Sequence, residues 1–147
     1  MFKKLERMLK DIDRPKVEEV AVAVVPEISD QPETKGEKVY NTYLINLSQK
    51  TLEGVLVSSR GYKKDQSTGE TTKTSMLRHF LDEVDGESFS KIEPIIQEVF
   101  HLNNEYWVSY YLDGKMYDKK FVFLPETIQE ENFIKVPVIE KPGVVIK

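Results

Sequence analysis

Apolar and polar side chains alternate along most of this chain with the two-residue period of half-buried β-strands. The opening is an exception. Phe2, Leu5, Met8, Leu9 and Ile12 recur at helical spacing until Pro15 ends the pattern, with Lys3, Lys4, Arg7 and Lys10 on the other sides. This predicts a short N-terminal helix, either docked on the domain or frayed, with a membrane-surface helix or a partner-binding arm as the alternatives. Val17–Glu27 is β-branched and bounded by prolines, and reads as a first strand; "ISDQPETKGEK" reads as a surface loop. In the next strand Val39, Asn41, Tyr43, Ile45 and Leu47 share one face, while Tyr40, Thr42, Leu44 and Asn46 share the other. "SQKT" turns into "LEGVLVSSRGYKK", another strand, and "DQSTGETTKTS" lacks any large apolar side chain. "MLRHFLDEV" is open to a helix, but its alternation, its Thr/Ser flanks and the early Gly86 favour a strand, and "ESFSKIE" reads as another strand. Pro94 suits the first position of a helix over 94–103, buried through Ile95, Ile96, Val99, Phe100 and Leu102 and closed by Asn103-Asn104.

The densest signal is "NEYWVSYYLDGKMYDKKFVF", with seven aromatic residues in twenty positions. Asp113-Gly114 between two alternating runs predicts a two-residue type I′ turn. Leu112 then faces Lys115, so that Tyr106, Val108, Tyr110, Leu112, Tyr117, Phe121 and Phe123 form a core face interrupted by Lys119. The opposite face carries Trp107, Ser109, Tyr111, Met116, Asp118, Lys120 and Val122. Trp107 is either surface or core covered by another sheet or by the opening helix. After the hairpin, Thr127 to Glu130 fits a capping box for one helical turn, and "NFIKVPVIEKPGVVIK" reads as an edge strand followed by a tail.

Seven or eight short strands predict a mainly β fold, a single antiparallel β-sandwich of immunoglobulin or fibronectin type III character, with a small barrel as the competing architecture. The expected organisation is a helical extension over 1–14, the sandwich over 15–126 and an extended segment over 127–147. At 147 residues the chain is long enough for one core without staples. With no cysteine, disulfides, thiol catalysis and thiolate metal sites are excluded. The net charge of −4 differs from the basic balance usual in nucleic-acid-binding domains. No apolar run reaches the roughly 20 residues of a bilayer span, and the opening lacks the apolar stretch of a secretory signal. A cytoplasmic location is expected, in which Asn46-Leu47-Ser48 is a chance glycosylation sequon.

Little in the chain carries chemistry. His79 and His101 fall on different elements and outside any zinc-binding spacing; His101 is expected at a helix end. A calcium loop centred on Gly86 would place Leu81 and Ile92 at ligand positions, which excludes it. Asp82 and Asp85 read as a solvated turn. No phosphate-binding glycine loop and no nucleophile elbow occur. The remaining cluster is Arg60, Lys63, Lys64, Lys73 and Arg78, with His79 and Tyr62 nearby, around a Ser/Thr-rich connection able to fold back as a hairpin. Such cations hold phosphates and such aromatics stack on unpaired bases, although Asp65 and Glu70 dilute the patch.

"RPKVEEVAVAVV", "VYNTYLINLSQKTLEGVLVSSRGY", "TSMLRH", "SFSKIEPI", the aromatic hairpin and "KPGVVIK" together resemble a group of small bacterial proteins, chiefly from Bacteroidetes. Members are often labelled phenylalanyl-tRNA synthetase subunit alpha. The resemblance spans most of Arg14 to Lys147 and implies a bacterial cytoplasmic setting, with no substrate, cofactor or site residue. The only arginines are Arg7, Arg14, Arg60 and Arg78, without the ATP-binding arginine motifs of a class II synthetase, so synthetase activity is not expected from this chain alone.

The reading these features favour is a non-catalytic, cytoplasmic protein-binding module acting on a partner protein or on itself, with Trp107, Tyr111, Met116 and Lys120 as the candidate surface. The alternative is RNA or tRNA binding through Arg60, Lys63, Lys64, Lys73 and Arg78. An enzyme with a site invisible in sequence is third. No metal, cofactor or small-molecule substrate is expected.

Overall fold

A computed structural model of the chain describes residues 19–147. The expected helix over 1–14 lies outside the described residues. The fold is mainly β, and every strand pairing is antiparallel. The strands are β1 (Val20–Ile28), β2 (Lys38–Asn46), β3 (Leu52–Lys64), β4 (Thr71–Lys73), β5 (Leu77–Val84), β6 (Ser88–Ile95), β7 (Asn103–Leu112), β8 (Lys115–Phe123), β9 (Ile134–Lys135) and β10 (Pro142–Ile146). They form two five-stranded sheets rather than a barrel. The first has the order β6-β2-β1-β10-β9. In the second, β3, β7 and β8 follow in order, and β4 and β5 both pair with the free side of β3, at its two ends.

Alternation explains how the sheets meet. Val20, Val22, Val24 and Leu44 of the first sheet join Leu52, Val55, Val57, Tyr106, Tyr110, Phe121 and Phe123 of the second in one buried cluster. Each fully buried side chain of this size contributes on the order of 1.5–3 kcal/mol. The hairpin follows the expected register from Asn104↔Phe123 to Leu112↔Lys115. Asp113 (φ 52°) and Gly114 (φ 76°) both take the left-handed conformation of a type I′ turn. Lys119, the charged residue on the core side, sets its ammonium 5.1 Å from the Phe121 ring.

The first strand is buried on both faces. Its valines at 20, 22 and 24 enter the shared core, while Ala21, Ala23 and Val25 enter a second cluster with Tyr43, Ile45 and Val136. Residues at the C-terminal end supply its outer cover: Val136, Val138, Ile139 and Val145 pack there. The closing segment is therefore part of the sheet, with Val22↔Ile146 to Val24↔Val144 pairing β1 to β10, instead of a tail beyond an edge strand. Gly143 makes that approach possible, since a Cβ there would lie 2.5 Å from the Val24 carbonyl oxygen.

Two expected helices are replaced. Over 94–103, β6 continues through Pro94 to Ile95, a 3-10 turn covers Gln97–Val99, and β7 begins at Asn103. Proline is tolerated because β6 is an edge strand. The Asn104 side-chain amide donates to the Val99 and Leu102 carbonyls (3.0 and 3.2 Å), tying the turn to the start of β7. Burial of Ile95, Phe100 and Leu102 thus follows from a strand and a turn, although their spacing imitates a helix. His101 consequently sits exposed in this connection. Near 127–130, the Thr127 hydroxyl donates to the Leu124 carbonyl (2.6 Å) instead of capping, and a 3-10 turn forms at Glu130–Asn132.

Candidate interaction face

The outer face of the second sheet can be read row by row from the register, because directly paired residues project to the same side. One row runs Met116–Tyr111–Glu53, and the next Asp118–Ser109–Leu56–Phe80. The third runs Lys120–Trp107–Ser58–Arg78, the fourth Val122–Glu105–Arg60, and the last Asn103–Tyr62–Lys73. With neighbouring strands about 4.8 Å apart, the four-residue rows cross about 14 Å of sheet.

Large apolar side chains on this face are open to solvent. Trp107 is 45% exposed, Tyr111 48%, Met116 53% and Phe80 67%. Leu56, at 38%, lies between Phe80 and Ser109. Lys120 places its ammonium 4.8 Å from the centre of the Trp107 ring, and Arg60 lies 5.4 Å from that of Tyr62. Between these two pairs sits Glu105, a nearly buried carboxylate. The Arg60 Nε–H donates to its Oε2 at 2.9 Å, and the Lys120 ammonium stands 3.9 Å from its Oε1. Tyr62, Arg60, Glu105, Lys120 and Trp107 thus form a continuous aromatic and ionic chain across three strands. Its geometry places a cation over each of the two rings.

The register brings the two candidate sets of the sequence together on this one face. Arg60, Arg78, Lys64 and Lys73 share it with Trp107, Tyr111, Met116 and Lys120; Lys63, paired with Thr72, projects to the other side. The connection before β4 does fold back, with Asp65 Oδ1 accepting the Ser67 amide at 2.8 Å. His79 turns away from the face, its Nε2 lying 3.1 Å from Glu93 Oε1. Phe80, Leu56 and Glu105 belong to the face and were missed in sequence. Glu105 carried a usable signal, being two residues before Trp107 on the same alternation, but its cationic partner Arg60 is 45 residues away.

Among the described residues, no group of three or more His, Asp or Glu is placed to hold a metal, and no helix is long and apolar enough to cross a membrane. Comparison with known proteins finds no matching family model and no matching curated protein.

Proposed function

We propose that this chain is a non-catalytic protein-binding module whose outer second-sheet face takes a partner with an apolar centre and acidic groups at one end. The observation that supports it is the continuous open set Phe80, Leu56, Trp107, Tyr111 and Met116 on a single sheet face. Contiguous exposed apolar surface of this kind marks interaction sites, and Trp, Tyr and Arg dominate binding energy at interface centres. Charge complementarity supports the partner's chemistry. Lys64, Lys73 and Arg78 lie towards one end, and Glu53 and Asp118 towards the other.

Strand order supports the finer fold reading of an immunoglobulin or fibronectin type III sandwich. β2 lies beside β6 in one sheet, and β3 beside β7 and then β8 in the other, the neighbours expected of strands B with E and of C, F and G. β1 takes the place of strand A, while β10 and β9 extend that sheet further. The tryptophan usual on strand C is missing; Trp107 lies on the F-like strand and faces outward.

RNA binding is the weaker reading, because Glu105 pairs with Arg60 within the basic region, and Asp65 and Glu70 dilute it. The deciding experiment is recovery of the full chain with its bound material from its native cell, compared with Trp107→Ala and Tyr111→Ala. Loss of one acidic protein from both variants, with melting unchanged, is the expected result. Recovery of RNA that is released steeply by salt would sink the protein reading and favour the alternative. Binding gained only after removal of residues 1–18 would identify that segment as the occupant of the face.

A further inference from the structure

A cleft of about 340 Å³ opens between the edges of the two sheets, where β6 faces the β4–β5 edge. Leu77, Ile95, Ile96, Val99 and Tyr106 supply apolar walls. Glu93 stands within it as a largely buried carboxylate. Its Oε1 accepts from the Ser59 hydroxyl and lies 3.1 Å from His79 Nε2. Thr42 fixes the backbone beneath, donating to the Glu93 carbonyl at 2.8 Å and accepting its amide at 3.2 Å. Oε2 has no protein donor among the described residues. Arg60 also lines the cleft, but its guanidinium nitrogen is bonded to Glu105. The site therefore combines an apolar channel with a pre-positioned carboxylate whose Oε2 is open to a further donor, His79 being the one basic side chain paired with it among the described residues.

We propose that this cleft binds the end of an aliphatic chain bearing an ammonium or guanidinium group, with the cation on Glu93 and the methylenes against Leu77, Ile96 and Val99. The volume falls within the range of small-ligand sites, and a few convergent polar groups in apolar walls are their usual chemistry. Strand addition at this edge is interrupted at Pro94, which has no N–H to offer, so the occupant is a side chain or a small amine. This proposal does not rest on the interaction face, with which the cleft shares only Arg60 at its border.

The test is titration of the isotope-labelled full chain with n-hexylammonium, hexan-1-ol and hexanoate, followed by amide shifts. Expected are saturable shifts at Ser59, Leu77 and Ile96 with the ammonium, binding about tenfold weaker for the alcohol, and none for hexanoate. Glu93→Gln keeps an acceptor for Ser59 and His79, and it should reduce ammonium binding to the level of the alcohol. Ile96→Lys alters only an exposed rim position and should block the probe with a tethered ammonium, which keeps the test valid should Glu93→Gln unfold. N-acetyl-lysine methylamide binding more tightly than hexylammonium assigns the site to a polypeptide side chain; the reverse assigns it to a free amine. Equal binding of ammonium and alcohol, shifts confined to other residues, or no shifts at all would overturn the proposal.

Discussion

The two sheets present outer faces of similar strand pattern but opposite fates. On the first, Ala21, Ala23, Val25, Tyr43 and Ile45 are sealed beneath Val136, Val138 and Ile139. On the second, Trp107, Tyr111, Met116 and Phe80 stand open among the described residues. Their chemistry differs to match. Small alanines let a covering segment approach the first sheet closely, whereas the second sheet carries large rings beside cations. The paired carboxylates of the two sheets also differ in role. Glu27 clasps the covering segment, accepting from Lys141 (2.8 Å), from Asn41 (2.9 Å) and from the Tyr43 hydroxyl. Glu105 instead braces exposed aromatics through Arg60 and Lys120.

If this contrast is right, a charge placed on the covered face should be far more damaging than one on the open face. Val136→Asp is expected to cost roughly 3–5 kcal/mol, or to abolish folding, by burying an unpaired carboxylate. Tyr111→Asp should change stability by only about 0.5 kcal/mol. Urea unfolding of the two variants measures the difference, and equal losses would erase the contrast.

Glu105→Gln sharpens it next. Removing the shared carboxylate charge should cost on the order of 1–3 kcal/mol and raise the net charge of the Arg60, Glu105 and Lys120 group by one positive unit on the open face. Heparin or RNA binding should then increase and weaken with added salt, whereas a face organised for nucleic acid from the start would respond little. Gly114→Val addresses the hairpin that carries half of this face. A β-branched residue at φ 76° is expected to cost about 1–2 kcal/mol, read as a lower melting temperature. Trp107→Ala should cost no more than about 1 kcal/mol, the scale of an exposed cation–π contact, while partner binding falls. A cost of several kcal/mol would mean the indole is covered in solution.

The smallest effect concerns acid. Burial raises the Glu27 pKa, but hydrogen bonds from Lys141, Tyr43 and Asn41 outweigh it, and the net result lies below the ordinary 4.5. A carboxyl depressed in the folded state stabilises fully above its unfolded pKa, and that contribution is lost as pH falls through the folded value. Loosening of the 136–141 cover, followed by amide exchange, should therefore begin below about pH 4.5 and be absent from Glu27→Gln.

Much of this architecture was legible along the chain, because alternation and turn chemistry are local. Val20–Ile28, Lys38–Asn46 and Leu52–Lys64 become strands close to where apolar period and punctuation predicted them, although Ile28 and Lys38, expected in the loop, pair as a rung between the first two. Asp113-Gly114 set the hairpin register, since few residue pairs accept two successive positive φ angles. That register alone separated Trp107, Tyr111, Met116 and Lys120 from the core residues beside them. What tertiary structure decided was everything requiring strands distant in sequence. The 94–103 segment has helical spacing, yet pairing of Tyr40 with Ile95 and Asn41 with Pro94 draws it into a sheet edge. Pairing of Ser58 with Trp107 and Arg78 unites the aromatic and basic candidates, and Gly143 brings the last strand back against the first. Such contacts depend on which surfaces remain to be buried once the whole chain has collapsed, a quantity no local window of residues contains.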